Sequence, residues 1–117
     1  HANRPREAIM RIENMVGMAG MNLPSKAVKQ QISSAIHMIV QISRMRDGMR
    51  RITYISEIVG MEGDVITMQD LFTYQFKGED ENGKILGEFV STGVRPHFLA
   101  RAAYYGLDKE LMEAMGS

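Results

Sequence analysis

The sequence predicts a small α+β domain in which two helices are followed by two antiparallel hairpins and two more helices. Three observations carry this. Apolar residues recur at spacings of three and four from Pro5 to Ile36 and again after Pro96, as on one face of a helix. The segments between them are β-branched and alternating instead. Two turn signals, Asp47-Gly48 and the polar run KGEDENGK, separate those segments into pairs.

The opening, HANRPREAIMRIENM, starts on a polar stretch with no apolar run ahead of it, and so looks cut at its left edge. Pro5 stands where a first helical residue belongs, because its missing N–H costs nothing there, and Glu7 in the same turn complements the helix dipole. Ile9, Ile12, Val16 and Ala19 form one stripe, and Gly20 is a plausible stop. Pro24 starts a second helix with Ala27, Val28, Gln31, Ile32, Ala35 and Ile36 inward. His37 to Ser43, HMIVQIS, reads as a strand, and RRITYISEIVG alternates as its hairpin partner.

Thr67-x-x-Asp70 has the spacing of a capping box, which predicts a short helical turn at Met68 to Leu71. Phe72, Tyr74 and Phe76 share one face of the next strand, and Ile85 to Val90 returns beside it. Pro96 opens a helix with Phe98, Leu99, Ala102 and Ala103 inward, ended by Gly106. Asp108 caps a last short helix carrying Leu111, Met112 and Met115. No internal repeat or low-complexity tract interrupts this order, so 1–117 is read as one domain.

Composition excludes several classes. Lysine plus arginine and aspartate plus glutamate both number 14, so no bulk field steers the chain toward nucleic acid or an anionic membrane. With Cys 0 there are no disulfides and no thiolate metal sites. No apolar run approaches the ~20 residues of a membrane span. Met 11 against Trp 0 is unusual, and it fits either gap-filling in the core or an adaptable partner surface.

Four candidate motifs follow. Gly78 to Lys84 spells G-x-x-x-x-G-K, but Ile85 replaces the magnesium-holding hydroxyl and Glu79, Asp80 and Glu81 place carboxylates where phosphate needs donors, so a hairpin loop is expected. Arg44, Arg46, Arg50 and Arg51 flank Asp47-Gly48 without interleaved aromatics, as a solvated hairpin tip would. His37 is expected to be partly buried and His97 to lie on the surface, neither with a second ligand at metal spacing. His1, like Gly116-Ser117, is open to being an added terminal residue by composition alone; the residues after His1 decide it.

HANRPREAIMRIENMV resembles the histidine box and following helix of the type II/type IV secretion ATPase superfamily, most of all the CpaF-like (Tad-type) pilus-assembly ATPases. The match is His1-Ala2-Asn3, Pro5-Arg6-Glu7-Ala8, Arg11 and Glu13, and it continues through LPSKAVKQQISSAIHMIVQISRMRDGMRRITYISEIVGMEGDVITMQDLFTY to the ending STGVRPHFLARAAYYGL. The likeness implies the C-terminal part of a RecA-like P-loop motor domain, with 1–60 ending the core and 61–117 forming a C-terminal hairpin and helices. It implies a hexamer that uses ATP and Mg2+ to drive pilin assembly or protein export. Its place would be the cytoplasmic face of the bacterial inner membrane, with inner-membrane platform proteins as partners and neither nucleic acid nor a membrane span of its own. The zinc-holding tetracysteine insertion of the type II branch has no counterpart here, since Cys is 0.

On the same resemblance His1 is the catalytic position, sensing the γ-phosphate or positioning water, as phosphoryl transfer requires. Gln41 and Arg44 match a Q-x-x-R pattern near the nucleotide or a subunit interface. The P-loop lysine, acidic magnesium ligand and arginine fingers have no counterparts, so the isolated chain is expected to hold no cofactor and hydrolyse no ATP. The alternative is an autonomous Met-rich α+β interaction module without catalytic activity.

Overall fold

The computed structural model describes residues 2–20 and 23–116. In chain order they form α1 (Pro5–Met18), α2 (Ser25–Ala35), β1 (Met38–Arg44), β2 (Arg50–Glu62), β3 (Val65–Glu79), β4 (Ile85–Ser91), α3 (Leu99–Tyr104) and α4 (Asp108–Ala114). The strands make one antiparallel sheet in the order β1-β2-β3-β4, so the architecture is α+β as the sequence predicts. The β2–β3 hairpin turns just beyond residue 60 and makes the sheet continuous across that position.

Pro5 is the first residue of α1 and is buried. Arg4 precedes it without a side-chain cap; the N–H of Asn3 donates instead to Oε2 of Glu7 at 2.9 Å. Ile9 then packs, 2% exposed, with Val28 and Ile32 of α2 and Ile58 and Ile66 of the sheet. Ile12 and Val16 extend the contact, whereas Ala19 lies exposed past the helix end. Gly20, at φ +76°, provides the left-handed stop. On α2, Gln31 and Ala35 are exposed rather than inward. Gln31 lies about 100° around the helix from Ile32. Ala35 is the last helical residue, and Ile36, already extended, takes the inward place.

The expected helical turn at Met68 to Leu71 is not formed. Those residues belong to β3, with Ile58↔Met68, Glu57↔Gln69 and Ser56↔Asp70 in register. The ladder takes the backbone groups that a cap would have served, and Oδ1 of Asp70 accepts from the Ser56 hydroxyl at 2.6 Å. Ser56 is wholly buried and Leu71 is 1% exposed, so β3 runs through the interior here. Phe72 stacks on Phe89 of β4 with centroids 5.2 Å apart.

The first of the C-terminal helices starts later than predicted and the second one residue earlier. Pro96 is buried in a turn closed by the Leu99 N–H on its carbonyl at 3.2 Å, α3 begins at Leu99, and the N–H groups of His97 and Phe98 are held by Glu57 of β2. Ala103 is exposed, while Phe98, Leu99 and Ala102 are half-buried. Asp108 is the first residue of α4 rather than a side-chain cap, and Met115 closes the chain's core at 7% exposure.

The radius of gyration is 17.0 Å and the thinnest extent 20 Å. A compact domain of about this length has a radius near 13 Å. The sheet is therefore broad for the helices that cover it, which explains why many apolar side chains remain exposed.

Candidate functional site

The sequence singles out the start of the chain, and the fold converges there. Gln41 alternates with Ile39 toward the helical side of β1, where it is 8% exposed. Its Nε2 donates to the carbonyl oxygen of Ala2 at 2.5 Å. A buried amide left unpaired costs about 1–3 kcal/mol, so this bond fixes the approach to α1 and is not free for a ligand. Arg6 adds a second tie, donating through Nη2 to the carbonyl of Ile66 at 3.0 Å. His1 itself lies outside the described residues.

Arg4, Arg6, Glu7, Tyr54, Met68 and Asp70 line an open cleft of about 490 Å³ beside this junction. Tyr54 is opposite Gln41 in the β1–β2 register, which brings its ring to the same side. Both signs of charge are present, Arg4 and Arg6 against Glu7 and Asp70. The cleft therefore suits a polar group oriented by mixed hydrogen bonds more than a bare polyanion. No sequence motif singles out Tyr54, and Asp70 has the spacing of a helix cap. The alternation of ITYIS was the available signal for Tyr54, since it puts Tyr54 on the face of Ser56 and Ile58.

Arg44 is elsewhere. It is exposed at the end of β1, opposite Arg50, and borders a shallow groove with Met45, Arg46, Phe76 and Ile85. Gln41 and Arg44 thus face separate places. Around the same turn, Arg51 is not a solvated tip residue. It is 16% exposed and forms a bidentate pair with Asp47, whose side chain is 6% exposed. Arg46 pairs with Glu79 at 2.7 Å.

A second cleft, about 600 Å³, opens between the end of α2, the β1–β2 ladder and α3. Its walls include His37, Glu57, His97 and Arg101, and both histidines are exposed, His37 contrary to expectation. His37 precedes the first ladder residue, so its ring is not held against the sheet. Glu57, 3% exposed, is the missed residue of this region. It accepts the N–H of His97 at 2.6 Å, that of Phe98 at 2.8 Å and Nε2 of Gln69 at 2.7 Å. With its oxygens committed, Glu57 is a latch for the C-terminal segment rather than a general base.

The loop at 78–84 does not fit a nucleotide phosphate. The N–H groups of Asn82 and Lys84 both donate to Oδ1 of Asp80, at 2.9 and 2.8 Å, and that of Gly83 to the Asp80 carbonyl at 3.1 Å. The donors of a phosphate cradle are consumed by the loop's own carboxylate. Among the described residues, no group of three or more His, Asp or Glu is placed to hold a metal ion. The 78–84 loop thus offers no phosphate cradle, and what the cleft beside α1 offers is positioning of the segment that leads into that helix. Among the described residues no helix is long and apolar enough to cross a membrane.

No family model matches this chain, and no curated protein matches it.

Proposed function

We propose that this chain is the C-terminal portion of a hexameric secretion or pilus-assembly ATPase, with a RecA-like origin for its first half. The whole protein couples ATP hydrolysis to pilin assembly or protein export at the cytoplasmic face of the bacterial inner membrane. Its partners are further copies of the motor and inner-membrane platform proteins. The observation that carries the proposal is the bond from the buried Gln41 amide to the Ala2 carbonyl. It joins two parts of the sequence that the family resemblance names separately, the His-Ala-Asn opening and the Q-x-x-R strand. A carbonyl fixed one residue from His1 is what a catalytic position at His1 requires, because a misplaced group loses its effect on the transition state. Arg44 has no part in that support.

The test is a double-mutant cycle in the complete protein. ATP turnover by phosphate release is compared for wild type, His1→Ala, Gln41→Leu and the pair. Gln41 acting through His1 gives a double variant no slower than His1→Ala alone. Independent, additive losses, or no loss from either change, would refute the assignment.

A second function is favoured by one observation. Met10, Met15 and Met18 on α1 are 57, 64 and 86% exposed. Methionines of that kind suit an autonomous module that docks a partner. The residues encoded upstream of His1 separate the two: a phosphate-binding loop and an acidic strand there support the motor, and an unrelated domain supports the module.

A further inference from the structure

We propose that the 117-residue chain pairs with a second copy of itself along the outer edge of β1, the two strands running antiparallel about Val40. This stands apart from the motor proposal and rests on the strand alone. β1 is a terminal strand of the sheet, so among the described residues its outer backbone groups have no ladder partner. Such edges are ordinarily guarded by a charge, a proline or a bulge. β1 reads Met-Ile-Val-Gln-Ile-Ser-Arg: it has no proline, and its one charge is Arg44 at the last position. The irregularity beside Gln41 and Ile42 belongs to β2, where Thr53 is the additional residue, so β1 stays straight enough to pair. The opposite edge, β4, is guarded, with Glu88 bonded to Lys77 at 2.6 Å.

The composition of the edge selects the occupant. Ile39 packs toward the core under α1 and α2, so its neighbours Met38 and Val40, and Ile42 beyond them, alternate toward the other face. They are 41, 49 and 58% exposed. A two-fold axis through Val40 sets Val40 against Val40, and Met38 against Ile42 in both directions. On the helical side Ile39 then meets Gln41. No like charges face one another, and Arg44 falls beyond the partner's β1. A strand therefore complements itself here without a mismatched position, and pairing of aligned apolar residues is the unit of sheet stabilisation. The axis stands perpendicular to the sheet, so α1 and α2 of both copies keep one side, and the apolar rows join on the other, the side on which Glu57 holds the segment leading into α3. A chain with formal net charge zero adds no global repulsion.

Cysteine is absent, so single substitutions give clean reporters. Directly opposed Cα atoms in an antiparallel pair are about 4.5–5.5 Å apart, within disulfide range. Sedimentation equilibrium of the wild-type chain is expected to give a dimer, and Val40→Lys a monomer with an unchanged far-UV spectrum. Under mild oxidation Val40→Cys is expected to form a covalent dimer in high yield. Leu86→Cys, 47% exposed on β4, serves as the collisional control and stays largely monomeric. A monomeric wild type at high concentration, a dimer that survives Val40→Lys, or equal crosslinking at positions 40 and 86 would overturn the proposal. If Val40→Lys does not fold, the two cysteine variants decide.

Discussion

Arg51 grips Asp47 through Nη1 and Nη2, at 2.9 and 2.7 Å, while the same carboxylate accepts the N–H of Ile85 at 2.9 Å. Asp47 sits in the β1–β2 turn and Ile85 is the first residue of β4. One side chain thus ties the tips of two hairpins that are adjacent only through the sheet. The Met49 N–H, at 3.1 Å, is a further donor to it. The Asp-Gly signal marks a turn, and this aspartate does more than permit one.

Asp47→Asn is expected to lower stability at neutral pH, measured by denaturant unfolding, and to quicken amide exchange at Ile85. The two hydrogen bonds from Arg51, with support from the backbone donors, hold the Asp47 carboxyl far below its ordinary value of 3.8. A carboxyl with a depressed folded-state pKa contributes stability above its unfolded pKa and loses it as pH falls toward the folded one. The gap between wild type and Asp47→Asn is therefore constant above about pH 5 and shrinks below pH 3.8. A gap that widens in acid would contradict this.

Glu57→Gln is expected to destabilise the chain by about 1–3 kcal/mol, since an amide cannot accept every bond the carboxylate takes. The loss should be local. Hydrogen exchange at His97 and Phe98 should rise while α1 keeps its protection. Equal protection of His97 and Phe98 in wild type and Glu57→Gln would mean that Glu57 does not latch the C-terminal segment.

Ile9→Ala removes the side chain on which α1 rests, 2% exposed against Val28, Ile32, Ile58 and Ile66. Deletions of this kind cost about 2–5 kcal/mol. Equilibrium unfolding should shift by that amount without a change in cooperativity. A cost under about 1 kcal/mol would show that the helix is not packed as described.

Element types were largely legible in the sequence because hydrophobic period and turn chemistry agree along most of the chain. Pro5, Gly20, Gly48 and Gly106 each punctuate where local sterics require it, and the structure follows them. The failures were at residues whose partners are distant in sequence. Thr67-x-x-Asp70 has cap spacing, but Ser56, fourteen residues earlier, takes the carboxylate. Pro96 reads as a helix start, but it sits in a turn that is docked by Glu57, forty residues earlier, through the N–H groups of His97 and Phe98. At the candidate site, Gln41 was visible only as part of a pattern. Its pairing with Ala2 spans 39 positions and depends on how α1 crosses the sheet, which no local rule contains.

His1 is the catalytic position of the proposed motor of which this chain would be part. The most direct measurement compares ATP affinity by fluorescence titration with turnover by phosphate release, for wild type and His1→Ala in the complete protein. A group acting on developing charge lowers turnover far more than binding when it is removed. Affinity is expected within a few-fold of wild type and turnover reduced by roughly ten- to a thousandfold, the scale of one lost stabilising donor. Turnover equal in the two proteins would contradict it.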